Sequence, residues 1–133
     1  MQLTFATIEL VVSDMASTLA FYRRFGLDIP AGADTEAHVE VVLGGGLHLA
    51  FDTEHTIRSF DPGWTRPSGD GHRAALAFAC ADPGEVDRAW TELTGAGHEG
   101  HLPPWDAFWG MRYAVVRDPD GTPVDLFAPL STV

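Results

Sequence analysis

Apolar and polar positions follow the same order twice along the chain. "ATIELVVSDMASTLAFY" (residues 6–22) lies over "AALAFACADPGEVDRAW" (residues 74–90): a strand-like run, an Asp, then apolar residues at helical spacing. Asp14 falls on Asp82, Ser17 on Glu85 and Tyr22 on Trp90. Asp82 reads as an N-cap, with Pro83 at the first helical position and Glu85 placed for a capping box. Val86, Trp90 and Leu93 then share one helical stripe, as do Met15, Leu19 and Tyr22 after Asp14. Gly26 and Gly95 are the expected helix stops.

Three strand candidates follow each helix: residues 27–29, 38–43 and 47–52 in the first half, and 99–102, 112–117 and 123–129 in the second. Pro30 should end the first of these. "GGG" at 44–46 is a hairpin turn; no helix follows it, so it does not read as a phosphate loop. "DPDG" (118–121) has Pro second and Gly fourth, as a type I turn prefers. The pattern predicts an α+β domain of two tandem βαβββ modules, residues 1–53 and 73–133, joined by a polar connector over 54–72.

Composition narrows the partners. The 133 residues carry a formal net charge of −11, which argues against nucleic acid. The acidity would suit a cationic ligand, and it equally serves solubility. All the basic residues are Arg, which suits a GC-rich genome. No apolar run is long enough to span a membrane, and "MQLTFATIEL" has no basic region ahead of an apolar stretch, so no signal peptide is expected. One cysteine, Cys80, excludes an internal disulfide framework, and its phase on the strand is that of a structural thiol. The expected location is the cytoplasm.

"IELVVSDMASTLAFYRRFGL" and "WGMRYAVVRDPDGTPVDLF", in this order and with the duplication, resemble the vicinal oxygen chelate superfamily, the glyoxalase, bleomycin-resistance and extradiol-dioxygenase group. The resemblance covers nearly the whole chain. It implies half-open sheets enclosing a cleft, and metal ligands on the first and last strand of each module. Those positions hold Thr7, His48, Ala75 and Asp125 here. A catalytic metal needs about three protein ligands, and this set offers two. Glu9 shares the face of Thr7 and is a conceivable substitute. His98 and His101 have the spacing of a metal pair but no third ligand, and read as solvated.

Strand phase puts Phe5, Thr7, Glu9 and Val11 on the cleft side, and Ala75, Ala77 and Ala79 on the cleft side of the fifth strand. Such alanines leave room for a ligand, or pack closely against another sheet or chain. Trp64 lies in the connector. Trp105, Phe108 and Trp109 lie in "PPWDAFWG", which reads as a loop, with Tyr113 just beyond. Loop aromatics are candidates for stacking on a flat ligand; a dimer interface or the core would use them too.

The expectation is a metal-independent protein without a cofactor or catalytic residue, resembling the antibiotic-binding resistance branch. It would sequester a large, flat, partly apolar natural product as a homodimer, and its acidity would tolerate a cationic one. Its ligand-binding candidates are Thr7, Glu9, His48, Trp64, Ala75, Trp105, Phe108, Trp109, Tyr113 and Asp125. The alternatives are a metal-dependent lyase, isomerase or dioxygenase using His48, Asp125 and Glu9, and a metal-free enzyme in which the same three groups do acid–base work.

Overall fold

The computed structural model describes residues 1–69 and 71–131. The chain divides into two units, Met1–Ser68 and Gly69–Val133. Each contains one of the repeated modules.

The first unit begins with β1 (Thr7–Val12) and α1 (Met15–Arg23). Asp14 ends the strand and starts the helix: its carboxylate accepts from Ser17 N at 3.1 Å. β2 (His38–Val42) and β3 (His48–Thr53) follow, and the sheet order is β1-β3-β2. β1 runs parallel to β3, and β2 antiparallel to it. Met15, Leu19, Phe21 and Tyr22 of α1 are buried, with Val12, Val39, Val41, Leu49 and Phe51 among the core residues. Tyr22 meets Phe51 at 5.4 Å between ring centroids. The aromatic pair adds about 0.5–1.5 kcal/mol to area burial.

Two expectations for this unit are corrected. Residues 27–29 form no strand, and Arg23 holds the end of the segment through its backbone carbonyls. Its Nε donates to Ile29 O at 3.1 Å and its Nη2 to Pro30 O at 2.6 Å. Pro30 brings no amide hydrogen, and Ala31–Thr35 closes into a 3-10 turn. The connector also holds a helix, α2 (Glu54–Phe60), capped by Thr53 Oγ1, which accepts from Thr56 N at 3.2 Å.

The second unit repeats the order with one strand more. β4 (Leu76–Ala79), α3 (Pro83–Gly95), β5 (Glu99–Asp106), β6 (Met111–Arg117) and β7 (Pro123–Pro129) give a sheet ordered β4-β7-β6-β5. β4 and β7 are parallel, and the other pairs are antiparallel. Asp82 caps α3 through Glu85 N at 2.8 Å. Glu85 reaches one residue further back than a capping box requires, to Ala81 N at 2.9 Å. Gly95 lies inside the helix; the chain turns left-handed at Gly97, φ 96°, because the last turn continues through Ala96. Val86 and Leu93 are buried against the sheet. Arg112 ties β6 to the helix through Asp87 (3.0 and 3.3 Å) and to Asp106 (3.1 Å).

"DPDG" closes β6 onto β7 as expected: Gly121 N donates to Asp118 O, and Asp118 Oδ1 accepts from Asp120 N and Thr122 N, each at 2.9 Å. "PPWDAFWG" is only half a loop. Pro103–Asp106 belong to β5, and the turn is confined to 107–110. β5 is an edge strand, and its register against β6 shifts twice between Gly100 and Trp105, which accommodates residues with no amide hydrogen to give.

Candidate functional site

Register decides which side chains share a face of the first sheet. His48 lies between Thr7 and Val42, Ala50 between Glu9 and Glu40, and Asp52 between Val11 and His38. Side chains alternate along a strand, so these nine residues occupy one face, away from the residues that pack on α1. The two predicted residues Thr7 and Glu9 are thereby placed with His48.

Four of these side chains form a continuous ladder. Asp52 Oδ1 meets His38 Nδ1 at 2.5 Å, His38 Nε2 meets Glu40 Oε1 at 3.2 Å, and Glu40 Oε2 meets His48 Nδ1 at 3.1 Å. The Asp52 side chain is 5% exposed, while His38 is 48% and His48 35% exposed, so the ladder is anchored on a buried acid and its other members reach solvent. The hydrogen bond to Asp52 holds the His38 imidazole above its usual range, with Glu40 adding to it. Bonds from His48 and then His38 hold the Glu40 carboxyl below its range. Glu9 is pushed up, first by its hydrogen bond with Asp52 and then by burial and by that neighbour's charge.

The second sheet presents a different chemistry on the corresponding face. Ala77 is opposite Asp125 and Ala79 opposite Phe127; Val115 is opposite Asp125, Tyr113 opposite Phe127, and Trp105 opposite Tyr113. Ala75 lies immediately before β4. Trp105, Trp109 and Tyr113 meet edge to face, with centroids 6.0, 5.5 and 5.2 Å apart. Phe108 sits on Trp109 at 5.0 Å, and Phe127 stacks on Tyr113 at 6.4 Å. Five rings are thus linked, and the outer end of the cluster is open: Phe108 is 96% and Trp109 48% exposed. Leu102, Pro103, Pro104 and Trp105 line an adjoining shallow hollow of about 330 Å³.

Asp125 puts a carboxylate against the ring cluster. Its carboxylate accepts a short hydrogen bond from the Tyr113 hydroxyl. Burial, then that bond, pushes the Tyr113 phenol up to about 12, so Tyr113 stays neutral and donating at physiological pH. Trp64 is not part of this cluster. It lies in the first unit, with the Arg58 guanidinium 5.1 Å from its ring centre, a cation–π contact.

His38, Glu40, Asp52 and Phe127 were not singled out from the sequence. The signal existed: "HVE" alternates two polar groups on one face of β2, and the phase that exposes His48 on β3 also carries Asp52. What was missing was the register that puts the two strands side by side.

The metal positions do not make a metal site. Thr7 offers a neutral hydroxyl and Ala75 no donor, and Asp125 is engaged by Tyr113. His48 has a carboxylate behind its Nδ1, as a ligating imidazole would. Yet among the described residues no group of three or more His, Cys, Asp or Glu is placed to hold a metal ion. His101 accepts from the Arg117 guanidinium at 3.3 Å, which uses a lone pair that a metal would need. Cys80 is half-buried, and burial pushes its thiol up, away from the reactive thiolate. No helix among the described residues is long and apolar enough to cross a membrane.

The family model described as "Glyoxalase/Bleomycin resistance protein/Dioxygenase superfamily" matches residues 4–126. Among solved structures, a glyoxalase/bleomycin resistance protein/dioxygenase from Nocardioides is 24% identical, over 100% of this chain and 87% of that one, with a TM-score of 0.74. A family enzyme from Burkholderia phytofirmans PsJN is 17% identical, over 95% and 98% of the two chains, with a TM-score of 0.78. TioX from Micromonospora sp. ML1 is 23% identical, over 96% and 99%, with a TM-score of 0.62. At these identities the likeness concerns the fold. No curated protein is matched.

Proposed function

The chain belongs to the glyoxalase/bleomycin resistance protein/dioxygenase superfamily, and within it we propose a metal-independent binding protein that sequesters an aromatic natural product without changing it. The observation that carries this reading is the aromatic face of the second unit. Trp105, Phe108, Trp109, Tyr113 and Phe127 form one linked surface, exposed at Phe108 and Trp109, beside an apolar hollow and the Asp125 carboxylate. A flat ligand gains area burial there plus about 0.5–1.5 kcal/mol for each ring it stacks on. Asp125 favours a ligand that is cationic or rich in N–H and O–H donors, and the net charge of −11 draws a cation to the protein as a whole.

The incomplete set at the metal positions supports binding over metal-assisted chemistry, since an open Lewis-acid site needs about three ligands. We place the protein in the cytoplasm as a homodimer conferring resistance to its ligand, in line with the family's resistance members. The test uses a panel of cationic and neutral polycyclic aromatic antibiotics. A true ligand should quench Trp fluorescence at one equivalent per chain and should return from the denatured complex with its mass unchanged. Trp109→Ala and Phe108→Ala, checked for folding, should each be made, and at least one should weaken binding by about tenfold, the equivalent of about 1.4 kcal/mol. A ligand recovered with altered mass, or unaltered affinity in both variants, overturns the proposal.

A further inference from the structure

The ladder lies on the first sheet, and its hydrogen-bond logic has a definite outcome. His38 lies between two carboxylates, Asp52 at Nδ1 and Glu40 at Nε2. An ionised carboxylate only accepts, so both contacts are hydrogen bonds only when both ring nitrogens carry protons. His38 is therefore the ladder's own cation, anchored on a buried acid. Glu40 is held by that cation through Oε1 and turns Oε2 to His48 Nδ1. His48 must donate from Nδ1. A neutral imidazole has one such proton, and spending it on Glu40 leaves a lone pair on Nε2.

The surroundings of His48 define what that lone pair can take. Its cross-strand neighbours are Thr7, a hydroxyl, and Val42, which is 72% exposed. The titratable groups on the same face are Glu9, Glu40, Asp52 and His38. A carboxylic acid is an anion at neutral pH and meets the Glu40 carboxylate beside His48. A cation would compete with His38 and His48 for Glu40. An aliphatic alcohol is a weak donor that gains little over water. A phenol is neutral, a strong donor, and has a ring to lay on Val42.

We propose that His48 Nε2 is a positioned hydrogen-bond acceptor for the hydroxyl of a neutral hydroxyaromatic ligand, with Glu40 and His38 fixing its tautomer and Val42 giving the apolar surface beside it. Glu40 and His38 act through His48 and are positioning residues. The proposal concerns the first unit and stands whether or not the aromatic face of the second unit binds.

The test is long-range proton–nitrogen NMR of the intact chain with nitrogen-15 histidine at pH 7. His48 is expected as the Nδ1–H tautomer, the minor form of a free imidazole in water, and His38 as the doubly protonated ring. Adding 4-chlorophenol should move the His48 Nε2 resonance saturably, while 4-chloroanisole, which lacks the hydroxyl, should leave it in place. Glu40→Gln should return His48 to the Nε2–H form and weaken the phenol by tenfold or more. An Nε2–H tautomer in the parent protein overturns the proposal, as does an equal response to the anisole. So does equimolar Zn²⁺ that binds stoichiometrically at the same nitrogen. The tautomer and the anisole comparison need no variant, so a poorly folded Glu40→Gln leaves the proposal testable. The signal is read at a histidine nitrogen rather than in Trp fluorescence, so failure here and failure of the aromatic-face reading are told apart.

Discussion

Replacing Gly100 by alanine puts a methyl group into the ring of Trp90. A Cβ built there lies 2.3 Å from Trp90 Cη2, 2.7 Å from Cζ2 and 3.0 Å from Thr94 Cγ2. Carbon atoms rest at about 3.5–4.0 Å, so the indole or the strand must retreat by roughly 1 Å. The indole is rigid and half-buried on α3, and overpacking of this kind costs about 1–3 kcal/mol. The opposing effect is smaller: Gly100 has no left-handed backbone, and Gly to Ala at a compatible site stabilises by about 0.4–1 kcal/mol by restricting the unfolded chain. The clash should win, for a net loss on the order of 1–2 kcal/mol. Urea unfolding followed by far-ultraviolet circular dichroism measures it in two backgrounds. With Trp90 present, Gly100→Ala should lower the midpoint. In Trp90→Ala, where only the rotatable Thr94 methyl remains close, the same change should be neutral or stabilising. A Gly100→Ala protein as stable as its parent, or an equal loss in both backgrounds, would refute the claim that Trp90 sets the spacing between α3 and β5.

The ladder should give the first unit a pH window. His38 is raised from an ordinary 6.5, so its contribution is complete below 6.5 and is lost as pH rises through its higher folded value. Glu40 is lowered from 4.5, so its contribution is complete above 4.5 and is lost as pH falls through its lower folded value. Protection of the β2–β3 amides against hydrogen exchange should therefore peak between these limits, and Asp52→Asn should remove the alkaline limb; an unchanged profile would count against it. Tyr113 should ionise near 12 by absorbance at 295 nm. Asp125→Asn should bring it down only part of the way, because burial is the larger cause; a full return to an ordinary phenol would refute that order. Light scattering at micromolar concentration should give the mass of a dimer, and a 14.4 kDa species would reject the assembly proposed above.

The repeat was legible because each module advertises its own start: Asp14 and Asp82 both cap, and both caps are made. Strand phase was legible for the same reason that it is physical, since a slip of one residue would bury Glu9 and expose Leu10. What escaped were effects of single side chains on distant backbone. Nothing local to residues 27–29 announces that Arg23 will take the carbonyls of Ile29 and Pro30. The run "PPWDAFWG" has the composition of a loop, and only the edge position of β5 lets its first half be a strand. The site was half legible. Asp125, Tyr113, Trp105, Phe108 and Trp109 fall on one surface, but the acceptor geometry of His48 depends on Glu40, eight residues away and visible only through the β2–β3 register.

The two prolines of β5 also decide how copies of this chain can and cannot meet. A sheet grows without limit when an outer strand offers an unbroken row of amides and carbonyls to the next molecule. Consecutive residues point their amides to opposite sides of a strand, so Pro103 and Pro104 together leave a gap in the row whichever way the local register falls. The double register shift next to them bends the row as well. Polymerisation through this margin is thereby blocked at the backbone, leaving the rings of Trp105 and its neighbours free to be sticky towards a small molecule without seeding a fibre.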